Sequence, residues 1–182
     1  MIKTIDTRDE CLTYIKNKLK INPNTCEIGF FKGDFSKIIS NKLESKNHYV
    51  IDTFNEFNNV SGDKDGLNIQ YQNMVEMYEY SISLGYNTIK GTSDNLDNID
   101  EELDFIYIDA DHSYEWVSRD LENAYKKIKN NGIIAGHDYC EKKFKGCFKA
   151  VNEFCKSNNQ KISVLSNDGC PSYFIIINKE IE

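Results

Sequence analysis

Asp109, Asp111 and His112 follow the apolar run LDFIYI, and His137 and Asp138 follow GIIAG further along the chain. Asp109 and Asp138 offer the hard oxygen ligands that suit Mg²⁺, and His137 adds a softer imidazole. Imidazoles also titrate near neutral pH, so a residue such as His112 can accept a proton in a reaction. Each residue alone has a bland reading, because a single His often caps a helix and acids often solvate loops. Five such residues at the ends of two apolar runs favour chemistry. An earlier stretch, Glu27-Ile28-Gly29-Phe30-Phe31-Lys32-Gly33-Asp34-Phe35-Ser36, has a different character. Gly29 permits close approach of backbone to a ligand, and Gly33 opens a helix whose free N–H groups favour a carboxylate or phosphate. The G-x-x-x-G spacing departs from the G-x-G-x-x-G dinucleotide fingerprint. Two glycines in such a turn are otherwise simple turn chemistry, but Asp52, roughly twenty residues on, is placed to accept both hydroxyls of a ribose. Together these residues point to an adenosine-containing cofactor.

Side chains this far apart meet only if the intervening elements carry them to one place. Short apolar runs alternate with amphipathic stretches, the pattern of helices packed on both faces of a mostly parallel sheet. Residues 7 to 20 read as a first helix, with Cys11, Leu12, Ile15 and Leu19 at helical spacing. Strands are expected over 26–30, 49–54, 87–91, 103–110 and 132–138, and helices over 34–43, 69–85, 114–130 and 144–158. Asn131-Gly132 suits a helix C-cap. KISVLS and SYFIIIN then close the chain as an antiparallel hairpin across Asp168-Gly169-Cys170-Pro171. The expectation is a doubly wound α/β fold with seven strands. Ligands of such sheets bind at the carboxyl ends of the strands, near the point where strand order reverses. Those ends carry Gly29 and Gly33, Asp52, Ser93, Asp109 with His112, and His137 with Asp138.

Composition narrows the classes of function. The chain has 182 residues, 40% hydrophobic and 28% charged, with a formal net charge of -7. That length suits one α/β domain over residues 1–182, with an N-terminal helix in 1–24 and a core in 25–178. An acidic balance provides no electrostatic footprint for nucleic acid or an anionic membrane. No run approaches the ~20 apolar residues of a membrane span, and the opening residues lack a signal-peptide profile. A cytoplasmic protein is expected. Its six cysteines show no C-x-x-C spacing and read as reduced thiols.

At these motifs the sequence resembles class I S-adenosylmethionine-dependent methyltransferases, within them the metal-dependent small-molecule O-methyltransferases of the macrocin and mycinamicin sugar type. EIGFFKGDFS is similar to the first cofactor motif, YVIDTF to the ribose-binding acid, and KGTSDN to the adenine-side loop. FIYIDADHSYEWVSRDL and GIIAGHDY are similar to the fourth and fifth motifs. The resemblance implies a Rossmann-like fold, S-adenosylmethionine as cofactor and Mg²⁺ as a second one. It implies that Glu27, Gly29 and Ser36 face the methionine end, with Gly33 in the same loop. Asp52 would hold the ribose and Ser93 would lie beside adenine. Asp109 would serve both cofactor and metal, with Asp138 and with His137 at a position that relatives fill with a carboxylate. His112 would be the general base, with Asp111 the next candidate.

The expected reaction is methyl transfer to a hydroxyl of a small molecule, with a sugar or glycosylated metabolite the leading acceptor. With so short an N-terminal extension, the acceptor pocket must come from the 55–75 loop, the segment after Tyr139, or a neighbouring subunit of a homo-oligomer. Tyr114, Trp116, Tyr139 and Phe144 are candidate walls. Two rivals stay open: an NAD-linked oxidoreductase, and a cofactor-binding module without catalysis.

Overall fold

The computed structural model describes residues 2–54 and 74–179. Eight strands form one sheet: β1 (Lys3–Ile5), β2 (Asn24–Ile28), β3 (Asn47–Asp52), β4 (Asn87–Lys90), β5 (Leu103–Ile108), β6 (Ile128–Gly136), β7 (Val164–Ser166) and β8 (Tyr173–Ile176). Among the described residues five helices accompany them: α1 (Arg8–Lys16), α2 (Asp34–Leu43), α3 (Met74–Ser83), α4 (Tyr114–Lys127) and α5 (Lys145–Ser157). A 3₁₀ turn spans Ser93–Asn98. The strand order is β1-β7-β8-β6-β5-β2-β3-β4. β8 runs antiparallel to both its neighbours, and every other pairing is parallel.

Alternation along the central strands builds the two faces. Ile106 and Ile108 of β5, with Cys26 and Ile28 of β2, pack against Val117, Leu121 and Ala124 of α4 and Ala150, Val151 and Phe154 of α5. Phe105 and Tyr107 point the other way, against Leu12 and Ile15 of α1 and Phe35 and Ile39 of α2. All six residues of β5 are buried, as an interior parallel strand requires. The chain runs outward from β2 to β3 and β4, then returns to place β5 on the other side of β2. Strand order therefore reverses between β2 and β5, which sets the crevice for a ligand.

The mostly parallel sheet, the helices on both faces and the closing antiparallel hairpin agree with expectation. Two details differ. The sheet has eight strands rather than seven, because Lys3–Ile5 pairs in parallel with β7. Three residues are too few for a two-residue alternation to register in the sequence. Asn131-Gly132 does not cap α4, which stops at Lys127 and passes directly into β6. Instead Asn131, at φ +63°, sits where the β5–β6 register shifts, and its N–H donates to the Ile177 carbonyl while Ile177 donates back to Gly132. Pairing with the final strand outweighed the capping preference of an Asn-Gly pair. Residues 55–73, which hold most of the loop expected over 55–75 and the first turn of the helix expected over 69–85, lie outside the described residues. All six cysteines are free, and no helix among the described residues is long and apolar enough to cross a membrane.

Candidate active site

Where β2 ends, Gly29 adopts φ +97°, and a Cβ there would lie 2.0 Å from the Asp109 carbonyl oxygen. The glycine is therefore required by the close passage of the β2 and β5 ends. The following loop curls around Asp52. One carboxylate oxygen of Asp52 accepts from the N–H groups of Phe30 (2.8 Å) and Phe31 (3.3 Å), and the other from Phe54 (2.9 Å). Gly33, at φ +73°, caps α2 with the Phe30 ring beneath it, where a Cβ would meet the ring at 2.3 Å. Asp52 thus braces the loop it shares with Gly29 and Gly33, and keeps a fraction of its lone pairs for a ligand hydroxyl.

Glu27 lies one layer below, only 2% exposed on the α2 side of β2. The Ser36 hydroxyl at the start of α2 donates to it. Burial pushes this carboxyl up to about 8. A buried acid bonded to one neutral hydroxyl suits a ligand that brings positive charge, and the ammonium of a methionine moiety is such a group.

On the other side of the reversal point, the acids and histidines after β5 and β6 converge. Successive strand residues point to opposite faces, but Asp138 leaves β6 at φ +59° and turns back beside His137. His137 Nδ1 stands 3.1 Å from Asp138 Oδ1 and 3.8 Å from Asp109 Oδ1. One ligand atom from each of these three residues falls within 4.8 Å of the others. The second oxygens face elsewhere: Asp138 Oδ2 is 2.7 Å from His112 Nε2, and Asp109 Oδ2 is 3.6 Å from Arg8 Nη1. Burial alone would raise the Asp138 carboxyl, yet hydrogen bonds from His112 and His137 hold it well below the usual range. That bond to Asp138 in turn raises His112. His137 is raised as well, since Asp138 and Asp109 outweigh the opposing effect of burial. Two inward oxygens and one nitrogen, with His112 bonded to the outer oxygen of Asp138 and Arg8 facing that of Asp109, form a donor set into which a divalent cation fits.

A family model described as a methyltransferase domain matches residues 26–139, from β2 through the fifth strand-end cluster. The chain belongs to that family. Its solved structural neighbours include the O-methyltransferase NovP, at a TM-score of 0.68 and 16% identity over 94% of this chain and 80% of that one. An rRNA methylase from Streptococcus thermophilus aligns with a TM-score of 0.64 at 14% identity, covering 96% and 99% of the two chains. An O-methyltransferase from Bacillus cereus in complex with S-adenosylhomocysteine aligns with 0.61 at 15%, covering 93% and 80%. At these identities the likeness is one of fold. A protein of Acanthamoeba polyphaga mimivirus is 28% identical over 116 residues, 62% of this chain. The chain matches about half the length of that relative (50%).

Within this methyltransferase domain the remaining candidates are distributed unevenly. Ser93 is buried, and its hydroxyl accepts from Asn123 of α4; the same hydroxyl bonds the buried Asp120. It is turned toward α4. Asp111 Oδ1 accepts the Ser113 N–H at 2.7 Å, an Asx turn that leads into α4. Phe144 packs 4.7 Å from the His112 ring, and Trp116 is exposed beside Arg119. Tyr114 and Tyr139 instead donate to Glu153 and Asn152 of α5. Sequence reasoning missed Arg8, whose guanidinium lies over the Phe35 ring at 4.1 Å and beside Asp109. A compositional signal was present, because Arg8 and Arg119 are the only arginines among 22 basic residues.

Proposed function

We propose that this methyltransferase domain uses S-adenosylmethionine to methylate a hydroxyl of a small molecule, with a sugar or glycosylated metabolite as the leading acceptor. The observation that carries this reading is the Asp109–His137–Asp138 donor set with His112 bonded to its outer edge. S-Adenosylmethionine supplies an electrophilic methyl on a sulfonium, which must be aligned with the attacking oxygen. Glu27 and Ser36 receive its methionine end, and Asp52 holds the loop against which its ribose rests. A divalent cation such as Mg²⁺, held by Asp109, His137 and Asp138, supplies Lewis-acid polarisation of an oxygen when bound.

His112 is the base for the acceptor hydroxyl. A neutral ring that donates from Nε2 to Asp138 presents Nδ1 as its proton acceptor, so Asp138 selects the tautomer. The same bond raises the basicity of the ring. Phe144 covers one side of the imidazole and limits its motion. The net charge of -7 argues against an RNA acceptor for this chain.

The test is methyl transfer from radiolabelled S-adenosylmethionine to panels of nucleotide sugars, free sugars, catechols and ribosomal RNA, with Mg²⁺ and with excess chelator. Cation-dependent labelling of a sugar hydroxyl is expected. Labelling of RNA alone, or thermal stabilisation by NAD with none by S-adenosylhomocysteine, rejects the reading.

A further inference from the structure

We propose that Arg8 binds the carboxylate of the cofactor's methionine moiety, supplying the positive half of a site whose negative half is Glu27 and Asp109. This rests on the cofactor reading above. Three observations place Arg8 for the task.

Its backbone is held from a distance. β1 pairs with β7, Thr7 caps α1 by accepting the Glu10 N–H, and Asp168 in the β7–β8 turn accepts the Arg8 N–H at 3.0 Å. The Ser166 hydroxyl donates to the same Asp168 carboxylate. The added strand thereby fixes the first turn of α1 over the carboxyl end of the sheet.

The guanidinium is aimed and incompletely used. It lies over the Phe35 ring, which packs tilted against Tyr107 with ring centroids 4.5 Å apart. The nearest Asp109 oxygen is 3.6 Å away, beyond hydrogen-bond length. With one face covered by a ring, the edge of the planar fork remains for a planar carboxylate. The side chain is 33% exposed, so a ligand can reach it.

The charges around it call for both signs. Arg8 Nη1 stands 3.6 Å from Asp109 Oδ2, and the guanidinium lies over Phe35, the residue before the Ser36 whose hydroxyl bonds the buried Glu27. An amino-acid zwitterion places its ammonium toward such acids and its carboxylate toward the arginine. Lysine provides 20 of the 22 basic residues. Arginine at position 8 therefore matches a need for bidentate geometry rather than mere charge.

The experiment is a calorimetric cycle on the full chain with S-adenosylhomocysteine and its decarboxylated analogue, which keeps the adenosine, thioether and amine. Wild type should prefer the carboxylate-bearing ligand by about 10- to 100-fold, and Arg8→Gln should abolish that preference while binding the analogue as wild type does. Arg8→Lys should retain part of the preference, and serves if the glutamine variant does not fold. A preference that persists undiminished in either variant overturns the assignment. So does equal binding of the two ligands by wild type, or equal loss of both in Arg8→Gln. Failure of wild type to bind either ligand overturns the cofactor reading itself, and the Arg8 assignment with it.

Discussion

Replacing Glu27 by glutamine should stabilise the protein at mildly alkaline pH while weakening its hold on the cofactor. Burial raises this carboxyl from 4.5 to about 8, with the Ser36 bond opposing the shift. Between those two values the folded protein keeps a proton that the unfolded chain has released, so stability falls as pH rises. The contribution is fully present below about 4.5 and is lost by about 8. The gap corresponds to a ceiling of ~5 kcal/mol. Glutamine has nearly the same shape, can still accept the Ser36 hydroxyl, and cannot ionise. Urea denaturation followed by circular dichroism from pH 5 to 9 is the assay. The two proteins should be similarly stable near pH 5, and the variant should become the more stable by several kcal/mol at the top of the range. Its S-adenosylhomocysteine affinity should fall over the same range, because the negative partner for the ligand ammonium is gone. Stability and binding thus move in opposite directions, the pattern of a site kept at a cost to the fold. Parallel pH profiles for the two proteins would refute the reasoning, since they would mean that Glu27 ionises as readily folded as unfolded.

Gly29→Ala should destabilise the protein by about 2 to 4 kcal/mol, because both the positive φ and the 2.0 Å approach to the Asp109 carbonyl forbid a Cβ; a change under about 1 kcal/mol in urea melts would contradict this. Asp138→Ala should abolish Mn²⁺ binding read by electron paramagnetic resonance, while S-adenosylhomocysteine affinity measured by calorimetry stays within about twofold. Loss of both would mean that the cluster supports the cofactor instead. His112→Gln should lower methyl transfer by about 10²- to 10⁴-fold with cofactor affinity unchanged, and turnover equal to wild type would reduce His112 to a partner of Asp138.

Much of the scaffold is legible along the chain because periodicity is local. The helix expected over 34–43 is observed over Asp34–Leu43, and LDFIYI is a wholly buried strand. The same locality explains why the strand-end residues could be picked out: the residue after an apolar run in an α/β sheet stands at its carboxyl edge, whichever strand lies next to it. Period says which face a side chain takes, and nothing about which strand is its neighbour.

The order of residue types along the chain therefore marks who is available at the carboxyl edge: Gly29, Asp52, Asp109, His112, His137 and Asp138. Their pairing arises only once the sheet has assembled. His112 turns to Asp138 rather than to the adjacent Asp111, whose Oδ1 accepts the Ser113 N–H. Gly29 answers to the backbone of a strand eighty residues away. Asn131-Gly132 bends a strand because Ile177 pairs with it. Arg8 reaches the site through a three-residue strand and an aspartate 160 positions distant. Each outcome rests on a hydrogen bond or close approach between segments that the chain brings together only when the sheet closes, and no local pattern of residue types encodes such a partner.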